Sequence, residues 1–243
     1  VQYWPAIDIV NQVAGETGQA SVTTMFDPAS NNDVQLTQMR AALQSAGNEL
    51  LLYYPFEQFT RSLAFPLVTD QAKYDLPPDW SYFVDQTQWD TTNHWPLLGP
   101  KSAAEWAWIK GGLVASAPHM RYRVMGNKLE FYPVPASPFG ISMEYISSNW
   151  VQTPASTDDL PDAAMVQSDG DIVWYHPWLM VKFTKLKWLQ LKGFDTSAAA
   201  GDFQRMYEAL KGKDVGAQVL SLVPQVSPMF IGPGSIPDGS WVV

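Results

Sequence analysis

The chain has 243 residues, 46% of them hydrophobic, with 24 acidic side chains against 15 basic ones. This composition excludes a disordered protein and leaves room for one generous core or two modest ones. The absence of cysteine rules out a disulfide framework, a thiolate metal site and a cysteine nucleophile. The net charge of −9 is uneven: residues 1–100 carry 3 basic and 11 acidic side chains, 101–173 carry 5 and 8, and 174–220 reverse the sign with 7 and 4. Such a chain repels DNA over most of its length, which argues against a sequence-reading DNA binder.

In chain order, residues 5–17 place Ala6, Ile9, Val10, Val13 and Ala14 at helical spacing. Pro5 suits a first turn, and Gly15 and Gly18 stand near the stop. Leu36, Met39, Leu43, Ala46, Leu50 and Tyr53 form a second, heptad-like stripe after the capping-box-like Ser30-Asn-Asn-Asp33, and Pro55 ends it. That stripe requires a partner helix. From Phe59 to Trp150 the period turns to β. Thr60 to Val68 and Lys73 to Leu76 read as a hairpin, Tyr82 to Gln88 as a strand, and Ser102 to Lys110 as a short helix with Ser102 capping and Glu105 three residues on.

Next, Tyr122 and Val124 alternate with Arg121 and Arg123, and Leu129 and Phe131 with Lys128 and Glu130, around the turn Gly126-Asn127. This predicts a type II′ hairpin with one apolar and one wet face, followed by a long strand from Ile141 to Trp150. Residues 152–171, with Asp158, Asp159, Asp162, Asp169, Asp171 and two prolines, read as a solvated linker; they lack the regular spacing of a calcium loop. Pro177 starts a helix that Gly193 ends, and a last helix spans about Thr196 to Val219. Beyond it, residues 221–243 carry Val226, Met229, Phe230, Ile231, Ile236, Trp241, Val242 and Val243 among four prolines, with the single charge of Asp238. This segment is too apolar for a solvated tail. Docking onto its own domain and docking onto a neighbouring subunit or another protein are both open.

The simplest packing is an α+β fold: a four-helix bundle formed by the N- and C-terminal helices (1–55 with 172–220), an inserted antiparallel β-domain with its acidic linker (56–171), and an extended C-terminal arm (221–243). No charged-then-apolar leader opens the sequence and no run reaches the roughly 18 apolar residues a bilayer span needs; a soluble protein without a membrane partner is expected. His94, His119 and His176 are isolated, and no nucleophile elbow or phosphate loop is present, so no catalytic residue, metal or cofactor is expected. The one competing chemistry is a carbohydrate-binding module or glycosidase, with Trp80, Trp89, Trp95, Trp106 or Trp108 stacking on sugar rings.

The wording of the β region is distinctive. Arg121-Tyr-Arg-Val, Gly126-Asn127, Lys128-Leu-Glu-Phe-Tyr132, the break Pro133-Val-Pro-Ala-Ser-Pro138 and Glu144-Tyr-Ile-Ser-Ser-Asn-Trp150 follow Leu76-Pro-Pro-Asp-Trp80, Gln88-Trp-Asp-Thr-Thr-Asn93 and Pro96-Leu-Leu-Gly-Pro100. With helical patterns at both ends, this order resembles the head-to-tail adaptor proteins of short-tailed bacteriophages. The resemblance implies a noncatalytic virion component: a ring of identical subunits, generally twelvefold, between the portal and the tail nozzle, through which the genome passes. It also implies that the chain ends contact the portal. Met229, Phe230, Ile231, Ile236 and Trp241 are the candidate contacts to the portal or a neighbouring subunit, and the lysines Lys182, Lys185, Lys187 and Lys192 the candidate contacts to an acidic partner. A virion assembly protein that never touches the portal is the alternative.

Overall fold

The computed structural model describes residues 3–27, 33–111 and 119–214. Helix α1 (Ala6–Thr17) buries the five residues its spacing predicts and stops at Gly18, in the left-handed conformation. Helix α2 (Val34–Tyr53) is capped by Asp33, whose carboxylate accepts from the Gln35 and Leu36 amides at 2.8 and 3.3 Å. Two otherwise unpaired donors of the first turn are satisfied that way. Leu36, Met39, Leu43, Ala46 and Leu50 are buried as the stripe requires, but Tyr53 is 54% exposed. The last turn of α2 runs past the core, and the Tyr53 ring lies against Phe183 and Tyr207 at its edge.

Helix α4 (Pro177–Lys192) is the hub, packing against α1, α2 and α5 (Ser197–Asp214). The helices of the expected four-helix bundle do not fill this core alone. Among its described residues α5 buries Ala199 and Phe203, and Ala200, Met206, Tyr207 and Leu210 pack half-buried against the same core. Part of the volume belongs instead to a small antiparallel sheet of β1 (Trp4–Pro5), β11 (Ile172–Val173) and β10 (Val151–Gln152), in the order β1-β11-β10. Trp150 wedges beside that sheet, fully buried, and its Nε1 donates to Asn48 Oδ1 at 3.0 Å. Only a glycine fits opposite: a Cβ on Gly47 would lie 2.4 Å from the indole.

The remaining strands are β2 (Thr60–Leu67), β3 (Lys73–Asp75), β4 (Trp80–Phe83), β5 (Trp89–Asp90), β6 (Trp95–Pro96), β7 (Arg121–Met125), β8 (Lys128–Tyr132) and β9 (Phe139–Ser147). They form two antiparallel sheets: β2-β9-β5-β6, with β4 also on β9, and β3-β8-β7. The hairpin expected from β2 and β3 does not form. Along its whole length β2 pairs with β9, from Thr60↔Ile146 to Leu67↔Phe139, while β3 pairs with β8. Adjacent strands thus go to different sheets, each finding an apolar partner far along the chain. Nor does β4 run on to Gln88. The chain turns after Phe83, with Gln86 at a φ of +66° and the Gln88 side chain folded back so that its Nε2 donates to the Val84 carbonyl at 2.5 Å. At its C-terminal end β9 stops at Ser147, short of the expected Trp150, because the next residues cross into the helical core.

The β7–β8 hairpin has the predicted two-residue turn between Met125 and Lys128. Gly126 takes φ +61° and Asn127 does not enter the positive region, as the first and second positions of a type II′ turn require. Its wet face is only partly wet. Helix α3 (Ala103–Gly111) covers it, bringing Trp106 against Tyr132 and Lys110 Nζ to 2.6 Å from Glu130, which is 5% exposed. The capping box of α3 is reciprocal: the Ser102 amide donates to Glu105, and the Glu105 amide to Ser102 Oγ.

The acidic stretch 152–171 is not a solvated linker. Asp169 accepts from Thr24 Oγ1 and the Met25 amide at 2.5 and 2.7 Å, Asp171 from the Gln167 and Ser168 amides at 2.6 and 2.9 Å, and Asp162 from Thr153. These carboxylates close turns and tie the stretch to the loop after α1. Asp158 and Asp159 remain exposed. The last helix begins at Ser197, with Asp195 accepting from its amide at 3.0 Å. Its expected continuation to Val219 and the whole arm 221–243 lie outside the described residues.

Candidate interaction surfaces

Lys182, Lys185 and Lys192, three and seven residues apart, share one face of α4, and Lys187 lies on another. Lys182 and Lys185 both donate to Glu16 of α1 at 3.0 Å, and Lys187 donates to Glu49 of α2 at 2.5 Å. Lys192 sits over the Trp188 ring at 5.6 Å. Three of the four lysines therefore staple α4 to its neighbours, and Lys192 has no carboxylate partner among the described residues. Burial works to raise the Glu16 carboxyl, but the hydrogen bonds and charges of Lys182 and Lys185 outweigh it and hold the group below its ordinary value of 4.5. At Glu49 burial likewise pulls upward and the bonds from Lys187 and Ser45 win.

A cleft of about 890 Å³ opens where the helical and β regions meet. Tyr54 ends α2 on one side; Trp80, Tyr82 and Phe83 of β4, Val124 of β7 and Ile146 of β9 supply apolar walls. Glu57, Asp85 and Asp214 add carboxylates, and no basic side chain lines it among the described residues. The last described residue, Asp214, accepts from the Glu57 amide at 3.1 Å. Burial first, then the charge of Asp214 and a hydrogen bond to it, raise the Tyr54 phenol above its ordinary value. Apolar walls with an acidic rim suit binding of an apolar segment. Among the described lining residues there is no histidine, serine or lysine.

The tryptophans proposed for sugar stacking do not form one platform. Trp106 is 3% exposed with its ring against Tyr132, Trp80 and Trp89 are half-buried, Trp95 packs edge-on to His119, and Trp108 is 72% exposed on α3. Each histidine stands apart, and among the described residues no three His, Asp or Glu side chains group closely enough to hold a metal. No described helix is long and apolar enough to cross a membrane. Met229, Phe230, Ile231, Ile236 and Trp241 lie outside the described residues. Sequence reasoning missed Glu16 and Glu49, whose lysines are 166 and 138 residues away. It also missed Asp79, which accepts from Tyr145 Oη at 3.0 Å and Ser147 Oγ at 2.7 Å. No local pattern announces any of the three.

A search of curated proteins gives no match. The family model described as SU10 adaptor protein matches residues 6–225, from the first residue of α1 past the last described residue of α5. The helices, the two larger β sheets and the cleft all fall inside that stretch, and on this match the chain belongs to the SU10 adaptor family of phage head-to-tail adaptors.

Proposed function

We propose that the protein is a noncatalytic subunit of a homo-oligomeric ring, twelvefold as in related adaptors, that joins the portal to the tail nozzle at the head–tail junction of the virion. The family match over residues 6–225 carries this reading. The genome passes through the ring without sequence-specific binding, and subunits reside in the host cytoplasm during assembly. The acidic composition supports the channel role: like charge repels the DNA backbone and reduces sticking, over about 8–10 Å at ordinary salt. In this reading residues 1–55 with 172–220 form the helical unit and 56–171 the inserted β unit. The arm 221–243 is the anchor, with Met229, Phe230, Ile231, Ile236 and Trp241 contacting the portal or a neighbouring subunit. An acidic partner would meet Lys192, the one lysine of its cluster without a carboxylate partner among the described residues.

The decisive experiment mixes the purified chain with portal particles and measures mass and images the product. The expected result is a monomer alone and a ring on the portal. Truncation after Val223 should leave the melting temperature nearly unchanged and abolish incorporation, with Phe230→Ala and Trp241→Ala each giving part of the defect. A chain that never binds portal, or a truncated chain that assembles normally, overturns the corresponding part of the proposal.

A further inference from the structure

Strand β2 stands at the end of its sheet, and among the described strands it pairs only with β9. Which way its backbone points follows from what β9 does on the far side. The Val84 amide donates to the Glu144 carbonyl at 2.9 Å, and the Glu144 amide donates to Thr87 Oγ1 at 3.0 Å. At Gly140 the carbonyl accepts from the Thr91 amide at 2.9 Å, and the amide donates to Thr92 Oγ1 at 2.9 Å. Both residues thus turn their polar groups away from β2, and in an antiparallel pair the residues opposite them, Ser62 and Pro66, turn theirs away from β9. Thr60 and Ala64 share that parity. The outer edge therefore carries the Ser62 and Ala64 amides and the carbonyls of Thr60, Ser62, Ala64 and Pro66, none with a hydrogen-bond partner among the described residues. Ser62, Ala64 and Pro66 are exposed. We infer that this edge takes an extended segment of a partner protein, added to the sheet as a further strand.

Beside the edge lies a trough of about 300 Å³, lined by Leu63 and Phe65 of β2 and by Tyr74, Asp75, Leu76 and Pro77. Leu63 and Phe65 alternate with Ser62 and Ala64, so an added strand lays every second side chain over the trough while its backbone bonds to the edge. The occupant is accordingly extended and apolar at alternate positions. Hydrogen-bond counting favours a foreign segment over a second copy's β2. Pro66 has no amide and the Thr60 amide is already given to the Glu57 carbonyl, so each copy of β2 has two free donors and two copies exchange at most four bonds. A segment with its own amides free serves both donors and all four carbonyls of the edge, six bonds in all. The rest of the fold makes the open edge conspicuous, because a long bare edge invites unwanted pairing and is normally kept short or covered. Residues 98–101 already cover β7, through bonds of the Leu98 and Lys101 amides to the Met120 and Tyr122 carbonyls, and β1, β3, β6 and β10 have two or three residues each. Eight residues long, β2 is blunted only near its end, by Pro66. The inference concerns the edge of one chain and does not depend on a ring.

Amide hydrogen exchange of the full chain, read by nuclear magnetic resonance, tests it with a short peptide that alternates valine and threonine between terminal lysines. In the free chain the Ser62 and Ala64 amides should exchange freely while those of Leu63 and Phe65, bonded to β9, are protected. The peptide should slow exchange at Ser62 and Ala64 by about tenfold or more, and the same peptide methylated on its edge-facing amides should not. Ala64→Pro removes a donor that the β2–β9 ladder does not use, so it should keep the parent's melting temperature and abolish the slowing at Ser62. Should that variant fail to fold, the methylated peptide gives the same reading on the unaltered chain. No slowing by the peptide, or equal slowing by its methylated form, overturns the inference. Protection of Ser62 and Ala64 in the free chain overturns it as well: if independent of concentration, the chain's own segment covers the edge, and if lost on dilution, a second copy does.

Discussion

In the helical region 27 buried apolar side chains among the described residues converge around α4, whereas in the β region 10 do so between two short sheets. The first core is built mainly from helices, with Trp150 and the small β1-β11-β10 sheet filling in beside them. The second is built from strands, some as short as two residues, and polar clasps such as Lys110 on Glu130 and Asp79 on Tyr145 and Ser147 bind its central strands to the segments around them. A region with little apolar burial depends more on such clasps, because each unmade buried polar bond costs as much as a lost methylene or two. The difference predicts where each region breaks.

The largest effect belongs to the helical core. Leu43 is 1% exposed and Leu52, on the same helix, is 83% exposed. Leu43→Ala should cost about 2–5 kcal/mol and Leu52→Ala less than about 0.5 kcal/mol, measured by thermal or urea unfolding followed by helical circular dichroism. Equal losses would mean that the stripe on α2 is not what anchors α4.

In the β region, Lys110→Met should cost about 1–3 kcal/mol by leaving the Glu130 carboxylate buried without its partner. Adding Glu130→Gln should recover part of that, and a double-mutant cycle read by tryptophan fluorescence measures the coupling. If both single changes are silent, the clasp is ornamental and the β core stands on its apolar residues alone.

Two glycines on neighbouring helices should shift stability in opposite directions. Gly47→Ala forces a methyl into the Trp150 ring and should cost about 1–3 kcal/mol. Gly15→Ala, with nothing within 4 Å of its added Cβ, should gain about 0.5–1 kcal/mol from helix propensity. Urea midpoints at a common slope decide both.

The smallest effect is electrostatic. The folded-state carboxyl of Glu16 lies below its ordinary 4.5, so its contribution is present above that value and lost as pH falls through the folded value. Glu16→Gln should therefore lower stability slightly at pH 7 and flatten the loss between pH 7 and acid, while leaving stability in acid near that of the parent. A parallel pair of pH profiles would assign no role to the Lys182–Glu16–Lys185 cluster.

What could be read from the sequence followed from local rules. The stripes of α1 and α2, the caps at Asp33 and Ser102, the stop at Gly193 and the II′ turn at Gly126 each need only a few neighbouring residues. The resemblance carried by the wording from Leu76 to Trp150 likewise agrees with the family match. Strand partners were not legible, because β2 and β3 have alternating patterns that any apolar edge can satisfy and their partners lie more than 50 residues further along the chain. The lysines of α4 looked free for the same reason: their carboxylates come from α1 and α2. The aspartates of 152–171 looked solvated because nothing in their spacing reveals that turn amides will claim them.

The described chain leaves the helical region through residues 54–59 and returns through Ser148 and Asn149, and the two passages are continuous with β2 and β9, which are hydrogen-bonded to each other over eight residue pairs. A single strand at such a junction would swivel about its bonds; a paired ribbon resists twist and bends as one piece. Asp79 stiffens the return passage further by accepting from Tyr145 and Ser147 and, through its carbonyl, from the Ser148 amide at 2.7 Å. Torque applied to one region should therefore reach the other as tilt of a whole lever, with little of it dissipated in the connection.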